Sequence, residues 1–551
     1  MRKADAHHIN LRAGGIILLG ILLAIAKDAK AQVPFVQAPP LSMSWVEADD
    51  RAREEAGELA LYARHLPLMA TSDGSGLWTE EHGLHVWRLG LSSPGALGLE
   101  FLLDEMNVPE GSSLRLLGDH GELLAEPISL APGITETSTP LVFGDACVLE
   151  YREPAGPVRQ GRFRITHLSH AYRDMGDMDQ REGNCHVNVA CSPEADGWDG
   201  PIRATVRISV VVPQGSGWCT GTLVNNARQD CTPYILTAFH CGRTSTSSQF
   251  NQYKFYFNFQ YASCSGGSYS TAQYITGAQL KAYSDDYNPA LQGLGGSDFM
   301  LLRANTSIPE NYQPYWAGWD ARPLSTVTDD GVCTHHPTGA PKRISSYTQT
   351  LTTGHPMASS GLMSHYKVVW ASTEHGWGIT EVGSSGAGLF KQHPEQGAVL
   401  IGTCTGNSSG MSCSNHTGYA YFGKMSYHWT QNPNAANIKL KPWLDPDNSG
   451  TLVLGGSANP CASPAYVQET VPTGDRHPYP NPADQNVSIP IGQPVTAVYQ
   501  VIDAMGRTLM SGPCGGPIAQ IPVSSIPAGS YHIRITVQDQ YTRSFPIMVI
   551  H

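Results

Sequence analysis

Three short stretches of the sequence each contain one residue of a type that acyl transfer requires. In chain order they are LTAFHC with His240, GGSDFMLL with Asp298 and EVGSSGAGLF with Ser385. A serine hydroxyl is a poor nucleophile at neutral pH, so an imidazole must take its proton and a carboxylate must hold that imidazole in one tautomer. Together the three residues form a candidate set for nucleophilic catalysis by a serine.

The glycines around Ser385 meet a second requirement of the same chemistry. Two backbone N–H groups must point at the oxyanion that develops during acyl transfer, and side chains would block that approach. The sequence EVGSSGAGLF offers the N–H groups of Gly383 and Ser385 for this purpose. We therefore expect an oxyanion hole at this turn.

Each stretch taken alone has a more common explanation. A histidine at the end of a strand is usually a core or surface residue, an aspartate before a strand is usually a turn residue, and Gly-Ser-Ser-Gly is usually a flexible loop. The joint order His, Asp, Ser within one cysteine-rich segment is that of chymotrypsin and differs from that of nucleophile-first hydrolases. This joint order favours the catalytic interpretation.

Metal chemistry is not indicated by the sequence. A zinc peptidase would show H-E-x-x-H, whereas EEHGLH and THHP lack that spacing. We expect no metal and no other cofactor.

Length and composition indicate several domains made mostly of short strands. The 551 residues exceed the size of one hydrophobic core. Only 15% of the residues are charged, and the chain contains 57 glycines and 39 prolines. This composition is typical of many short strands joined by turns and predicts a mainly β fold. The net charge of −12 comes without a basic patch, which argues against a nucleic-acid partner.

The first 31 residues have the features of a signal peptide. Basic Arg2, Lys3 and Arg12 precede an apolar run, and Ala29 and Ala31 form an A-x-A cleavage site. Export to an oxidising compartment would make most of the 12 cysteines disulfide partners.

The remaining chain divides into three bodies and a linker. Residues 32–180 contain the helix-like stretch EADDRAREEAGELALYARHL followed by strand-like runs, and residues 181–460 are cysteine-rich and all β. Residues 461–478 form a linker rich in proline and threonine, and residues 479–551 read as a small β-sandwich.

The stretch from Cys185 to about Leu454 resembles the lysyl endopeptidases, which are bacterial chymotrypsin-like serine proteases. The resemblance implies His240 as general base, Asp298 as its orienting carboxylate and Ser385 as nucleophile. It also implies two β-barrels with the site in the cleft between them, and protein or peptide substrates. We expect a monomer. The shared motifs are CHVNVAC, CTGTLVNN, YILTAFHC, SDFMLL, WAGWD, THHPTG, KRIS, GITEVGSSG and KPWLDP.

The same resemblance implies part of the disulfide pattern. The implied pairs are Cys185–Cys413, Cys191–Cys264 and Cys219–Cys241. Cys333 and Cys404 have no family counterpart, and we expect them to pair because each lies on a strand expected beside the specificity pocket. Sequence alone leaves four cysteines unassigned, namely Cys147, Cys231, Cys461 and Cys514.

The expected specificity pocket departs from that of the lysine-selective relatives. Their pocket-base aspartate corresponds here to Ala420, and the histidine that stacks on their tryptophan corresponds to Thr405, although Trp370 matches the tryptophan. Ile379 forms a further wall. A buried ammonium without a counter-charge is strongly penalised, so we expect an uncharged P1 residue. His416 or a more distant acid is the alternative that would restore a charge partner.

Both flanks fit a secreted protease. The segment WRLGLSSPGALGLEF resembles the pro-regions of such enzymes, with removal expected near MGDMDQREGNC, and an accessory domain that stays attached is the alternative. The tail resembles the C-terminal sorting domains of the type IX secretion system through YPNPA, YQVIDAMGRTLMSG and IPVSSIPAGSYHIRI. That resemblance implies the secretion machinery as partner, passage through the periplasm and outer membrane, and release or surface attachment.

The rival function is a catalytically inactive surface-binding protein on a protease scaffold, because a protein can keep a fold after losing its activity. Its usual mark is a lost triad residue, and all three positions are occupied here. The sequence therefore favours a secreted serine endopeptidase.

Overall fold

The structure is a computed structural model that describes most of the chain after the expected signal peptide. The described residues are 33–173, 184–284, 296–327, 329–356, 363–462, 478–490, 496–503, 507–537 and 541–551. The predicted signal peptide and most of the predicted cleavage region and linker therefore lie outside the described residues. The chain divides into two compact units, Met1–Ser463 and Pro464–His551.

Strands account for 45% and helices for 11% of the structure, so the expectation of a mainly β fold is confirmed. Within the described ranges, every helix is too short or too polar to cross a membrane.

The N-terminal segment packs two sheets around a shared core. One sheet has the order β1-β4-β10-β6-β7 with β3 beside β4, and the other contains β2-β11-β5-β8 with β9 beside β5. Trp87, Phe101, Leu149 and Ile165 are fully buried between them. The elements are β1 (Phe35–Gln37), α1 (Met43–Glu55), β2 (Leu61–Thr71), β3 (Leu77–Glu81), β4 (Leu84–Ser92), β5 (Gly98–Asn107), β6 (Ser113–Leu117), β7 (Ile128–Ser129), β8 (Thr137–Ser138), β9 (Val142–Phe143), β10 (Ala146–Pro154) and β11 (Arg162–Ala171).

The helix-like stretch expected over residues 47–66 divides into a helix and a strand. Helix α1 ends at Glu55, and Gly57 follows with a φ of +64°, a left-handed conformation that glycine adopts at little cost. After a short turn, residues 61–66 of the stretch belong to β2, which pairs with β11 on one side and with β14 (Gly215–Val224) on the other. Pairing on both sides satisfies the backbone groups of this segment and overrides its helical propensity.

The middle segment continues with short strands and single helical turns. Its elements are β12 (Val187–Asn188), α2 (Asp199–Ala204), β13 (Thr205–Val212), β14, β15 (Tyr234–Thr237), α3 (Phe239–Gly242), α4 (Ser247–Phe250), β16 (Lys254–Tyr256), β17 (Tyr274–Thr276), β18 (Ala278–Ser284), β19 (Phe299–Ala304), β20 (Gly318–Asp320), β21 (Gly331–His335), β22 (Arg343–Tyr347), β23 (Thr352–Gly354), β24 (His365–Val368), β25 (Gly388–His393), β26 (Gly397–Asn407), β27 (Ala420–Lys424), α5 (Lys441–Leu444) and β28 (Val453–Leu454). Single 3₁₀ or π turns lie at Glu310–Tyr312, Pro337–Gly339, Tyr427–Gln431, Ala436–Ile438 and Pro460–Ala462.

These strands form two β bodies that pack on each other. The first has the order β17-β16-β13-β14-β15-β19-β18, and the second has the order β12-β22-β21-β25-β26-β27-β24-β23 with β20 beside β26. A cluster of fully buried residues joins them, with Leu236 and Phe299 from the first body against Phe390 and Leu400 from the second. This agrees with the two-body protease architecture that the resemblance implies.

The N-terminal segment is continuous with the first β body. Strand β2 pairs with β14, with Ala63 opposite Ser216, so the two sheets merge at this edge. Across the junction, the Lys254 Nζ lies 2.5 Å from a carboxylate oxygen of Glu100, and both side chains are almost completely buried. Strand pairing and a buried ion pair therefore hold the two parts together as one compact unit.

The structure has disulfides at the three pairs implied by the resemblance and at a fourth pair that sequence left unassigned. The bonded pairs are Cys185–Cys413, Cys191–Cys264, Cys219–Cys241 and Cys231–Cys461. The fourth pair ties the end of the middle segment to the first β body.

The expected Cys333–Cys404 disulfide is absent, and both thiols are free and buried. Cys333 lies on β21 and Cys404 on β26, and β25 runs between these two strands. Two inter-strand spacings amount to about 9.6 Å, which exceeds the separation of Cα atoms that a disulfide spans. The expectation of this pair was therefore wrong.

The C-terminal unit has its own core. Its strands form an antiparallel pair, β29-β32, and a sheet of order β31-β30-β33-β34, and Val487, Ile521 and Ile533 are fully buried among them. The strands are β29 (Asn486–Pro490), β30 (Thr496–Ile502), β31 (Thr508–Gly515), β32 (Ile518–Pro522), β33 (Gly529–Val537) and β34 (Tyr541–Val549).

Candidate active site

His240 lies one turn beyond a buried strand of the first β body. Strand β15 ends at Thr237 and helix α3 begins at Phe239, so the histidine occupies the first turn after the strand. The disulfide Cys219–Cys241 ties this turn to β14. The His240 side chain is 9% exposed, so most of the ring is enclosed while part of it reaches the surface.

Asp298 lies beside His240 because of strand pairing. It directly precedes β19, and β19 is the antiparallel partner of β15, so the start of one strand lies next to the end of the other. The Asp298 Oδ2 is 2.7 Å from Nδ1 of His240, and its Oδ1 accepts a hydrogen bond from the His240 backbone N–H at 3.0 Å. The Asp298 side chain is completely buried.

These two contacts set the proton arrangement of the imidazole. An ionised carboxylate can only accept hydrogen bonds, so Nδ1 of His240 carries the hydrogen and the lone pair lies on Nε2. Asp298 adopts a φ of +49°, which is uncommon for a residue other than glycine. The two hydrogen bonds with His240 hold the Asp298 carboxylate in place. The arrangement leaves Nε2 as the nitrogen that can accept a proton.

The turn around Ser385 depends on two glycines. Gly383 has a φ of +89°, and a Cβ there would lie 2.9 Å from the backbone nitrogen of Gly339. Gly386 has a φ of +83°, and a Cβ there would lie 2.1 Å from Oγ1 of Thr237. Since real Cβ atoms do not approach so closely, both positions require glycine. The close approach of Gly386 places this turn against the end of β15.

Backbone contacts fix Ser385 beside the turn that carries His240. The Thr220 backbone N–H donates to the Ser385 carbonyl at 2.9 Å, and the Thr220 hydroxyl donates to the Gly383 carbonyl at 2.8 Å. The Sγ of Cys241 lies 3.9 Å from the Ser385 carbonyl oxygen. Ser385 itself is partly exposed. The structure therefore brings the three residues singled out in the sequence to the junction of the two β bodies.

The expected pocket residues are all buried in the second β body. Trp370 and Thr405 are 3% exposed, and Ile379 and Ala420 are 0% exposed. Trp370 contacts the ring of Phe422 edge-on, with a centroid distance of 5.9 Å. None of the four residues carries a charge. The walls expected around a P1 side chain are thus uncharged and mostly apolar.

Two contacts near this pocket escaped sequence reasoning. Trp377 stacks in parallel on His416, with ring centroids 4.3 Å apart, so a tryptophan-histidine stack is present but uses neither Trp370 nor Thr405. The Thr380 hydroxyl donates to Oδ1 of Asn407 at 2.6 Å and thereby joins two segments of the second β body. Both partners of the stack lie in loops, where sequences vary most among related proteins, so the motifs did not indicate this contact.

Two groups of residues in the described ranges have metal-ligand types close together. They are Cys185, His186 and Cys413, and Cys191, Cys264 and His375. In each group the two cysteines form a disulfide, which removes the thiolates that would bind a metal. These groups are therefore structural crosslinks with a histidine nearby.

Serine proteases are the class of protein to which the middle segment is related. Residues 180–423 match the family described as the lysyl endopeptidase C-terminal domain, and residues 477–548 match the secretion system C-terminal sorting domain. Both resemblances drawn from the sequence are thus confirmed. Such a protease family implies protein substrates, and such a sorting domain implies export and contact with the secretion machinery.

The particular relatives are distant. A lysyl endopeptidase of Pseudomonas aeruginosa is 23% identical over 368 residues, which is 63% of this chain and 74% of the relative. A thermostable serine protease, AL20, from an extremophilic microorganism is 17% identical and matches with a TM-score of 0.30 over 43% of this chain and 98% of its own. An inactive mutant form of Rv3671c from M. tuberculosis H37Rv is 14% identical, with a TM-score of 0.25 over 43% and 91% of the two chains.

Proposed function

We propose that this chain is a secreted serine endopeptidase in which Ser385 is the nucleophile, His240 the general base and Asp298 the residue that orients the base. The observation that carries the proposal is the double contact of Asp298 with His240. It fixes both the orientation and the tautomer that a general base requires. The packing of the Ser385 turn against the end of β15 supports the same assignment.

The proposed reaction has two halves. First, Nε2 of His240 takes the hydroxyl proton of Ser385 while the Oγ attacks the scissile carbonyl carbon. The N–H groups of Gly383 and Ser385 donate to the oxyanion of the tetrahedral intermediate. Breakdown of this intermediate breaks the C–N bond, and His240 gives the proton to the leaving amine.

In the second half, water attacks the acyl-enzyme with His240 again acting as base. The acid product leaves and Ser385 regains its proton, so the enzyme returns to its starting state. Asp298 stabilises the imidazolium that forms twice in the cycle and does not itself become protonated.

Turnover of peptides separates this proposal from the rival one, a catalytically inactive surface-binding protein. We expect the secreted protein to cleave internal peptide bonds in a mixed peptide library, with cleavage sites read by mass spectrometry. A folded wild-type protein that leaves the whole library intact would favour the binding protein.

Specificity is proposed to exclude lysine at P1. Ala420 and Thr405 are buried and uncharged. Desolvating a lysine ammonium costs several kcal/mol unless a carboxylate pairs with it. The Glu381 carboxylate, one alternative partner, lies 3.0 Å from Nε2 of His186. In a P1-varied library we expect apolar or aromatic residues to be cleaved about 10²-fold more efficiently than lysine.

The Ala420→Asp variant tests the cause of this preference. We expect it to gain activity on lysine substrates because it would supply the missing counter-charge. Turnover by the wild-type enzyme that is confined to lysine or arginine would show that a carboxylate from elsewhere, such as Glu374, reaches the pocket.

Processing is proposed to remove both ends of the chain. We assign residues 1–31 as signal peptide, 32–180 as pro-region, 181–460 as protease domain, 461–478 as linker and 479–551 as sorting domain. The separate core of the C-terminal unit supports its removal as a whole. The product would be a monomer that is released or attached to the outer-membrane surface after passage through the periplasm.

Mass spectrometry of the extracellular protein checks this processing. We expect peptides from neither residues 1–31 nor the segment after about residue 478. An active extracellular enzyme that still ends at His551 would contradict the proposed fate of the sorting domain.

A further inference from the structure

Ser384, the residue before the proposed nucleophile, is completely buried. Its Oγ accepts a hydrogen bond from the backbone N–H of Glu381 at 3.0 Å and lies 2.8 Å from Nδ1 of His335. A serine hydroxyl that is enclosed in this way makes specific contacts inside the protein and does not face substrate.

His335 continues this contact across the second β body. It is the last residue of β21 and is completely buried. Its Nε2 lies 3.0 Å from Oγ of Ser345 on β22, and the Ser345 hydroxyl donates to the backbone carbonyl of Ile379 at 3.4 Å. The imidazole therefore bridges two hydroxyl groups, and each of those contacts the segment that leads to Ser385.

The donors and acceptors fit one arrangement of protons. The Ser345 hydrogen goes to the Ile379 carbonyl, so the Ser345 oxygen accepts from Nε2–H of His335. The lone pair of the imidazole is then on Nδ1 and accepts from the Ser384 hydroxyl, whose own oxygen accepts from the amide N–H of Glu381. Burial, with a smaller effect from His186, lowers the pKa of His335 well below its usual value, so the ring is neutral as required.

We propose that His335 and Ser384 are positioning residues that hold the oxyanion turn in its active shape. This inference rests on the proposed function, because it concerns the N–H groups of Gly383 and Ser385 in that reaction. The series of hydrogen bonds runs from the Ile379 carbonyl through Ser345 and His335 to the Ser384 hydroxyl. Ser384 lies between Gly383 and Ser385 in the sequence. The series therefore braces both ends of the segment that carries the Gly383 N–H.

The turn needs such a brace because of its glycines. Gly383 and Gly386 have positive φ values and give the backbone wide conformational freedom. Oxyanion donors contribute to rate only when they are fixed before the reaction. The Ser384 side chain lies between the two glycines and anchors the turn to the sheet.

Ser384→Ala and His335→Leu test the proposal. We expect each to lower kcat by about 10²-fold on the best peptide of a P1-varied library, with KM changed less than about threefold. We also expect affinity for a peptide aldehyde, which forms a tetrahedral adduct at the nucleophile, to fall by a factor similar to that for kcat/KM. A defect confined to folding would reduce the concentration of active sites and leave kcat per active site unchanged.

A matched pair at His335 separates positioning from packing. In His335→Asn the side-chain oxygen lies near the position of Nδ1 and can accept from Ser384. In His335→Gln the longer side chain reaches toward Ser345 instead. We expect the asparagine variant to recover about tenfold in kcat over His335→Leu and the glutamine variant to recover less. Equal kcat values for Asn, Gln and Leu would show that the imidazole only fills space.

Ser385→Ala, measured in parallel, separates failure of this inference from failure of the proposed function. If Ser385→Ala is inactive while folded Ser384→Ala and His335→Leu keep wild-type kcat and aldehyde affinity, positioning by these residues is overturned and the proposed function stands. If Ser385→Ala stays active, the proposed function itself fails. Thermal unfolding reports folding, and Ser384→Ala, which removes only one oxygen atom, decides the matter if His335→Leu does not fold.

Discussion

Replacing Ser385 by alanine is expected to lower kcat for peptide hydrolysis by about 10⁶-fold, and His240→Ala is expected to do about the same. The first change removes the attacking oxygen, and the second removes the base that makes this oxygen a nucleophile. Because the two residues act as one unit, the double variant should lose no more than either single variant. The measurement is kcat per folded protein on one peptide substrate.

Both variants should fold normally. Ser385 is partly exposed, and its backbone carbonyl accepts a hydrogen bond from the Thr220 N–H, a contact that alanine keeps. The disulfide Cys219–Cys241 retains the local turn when His240 is changed. Unchanged thermal unfolding is therefore the control. A Ser385→Ala protein that cleaves peptides at close to the wild-type rate would refute the assignment of the nucleophile.

Asp298→Asn is expected to lower kcat by about 10⁴-fold through the tautomer of His240. In the wild type one oxygen of Asp298 accepts from the His240 backbone N–H and the other faces Nδ1. Asparagine keeps its single oxygen on the backbone N–H, so its NH₂ group faces the ring. Nδ1 must then accept a hydrogen bond, the ring hydrogen moves to Nε2, and Nε2 can no longer take the serine proton.

Asp445→Asn is a matched control for this variant. Asp445 is also buried, and its two carboxylate oxygens accept backbone N–H groups from Ser449 and Gly450. We expect kcat within about twofold of wild type for this variant, since the change is chemically identical but lies outside the proposed site. Asp298→Asn with kcat within about tenfold of wild type would contradict the orienting role of Asp298.

The proximity of His240 and Asp298 was expected because their motifs, YILTAFHC and SDFMLL, resemble those of the lysyl endopeptidases. The short apolar strand YILT ends shortly before His240, and the short apolar strand FMLL begins directly after Asp298. Antiparallel pairing of two such strands places the end of the first beside the start of the second. The catalytic roles of the two residues nevertheless remain predictions, because proximity does not measure turnover.

The order of strands within a sheet was not foreseeable, and the Cys333–Cys404 error follows from that. Each cysteine lies on a strand, as expected, but nothing in the local sequence shows that β25 runs between those two strands. The stack of Trp377 on His416 was missed for a related reason. It joins two loops whose contact depends on the whole chain path.

The helix expected over residues 47–66 shows how tertiary pairing overrides local preference. Its first part is helical as expected, but the part from Leu61 onward is a strand with partners on both sides. The burial of Ser384 could not be foreseen for the same reason. The resemblance singles out Ser385 in the sequence GSSG, but only the structure shows that Ser384 is buried while Ser385 is partly exposed.

Covalent labelling tests the central claim most directly. The secreted protein should react with a fluorophosphonate, and mass spectrometry of its peptides should find the phosphonyl adduct on Ser385. The adduct should be absent from Ser385→Ala and should form far more slowly in His240→Ala, since the base activates the hydroxyl that reacts. An adduct on another residue, or an active protein that hydrolyses peptides without forming any adduct, would contradict the proposal that Ser385 is the nucleophile.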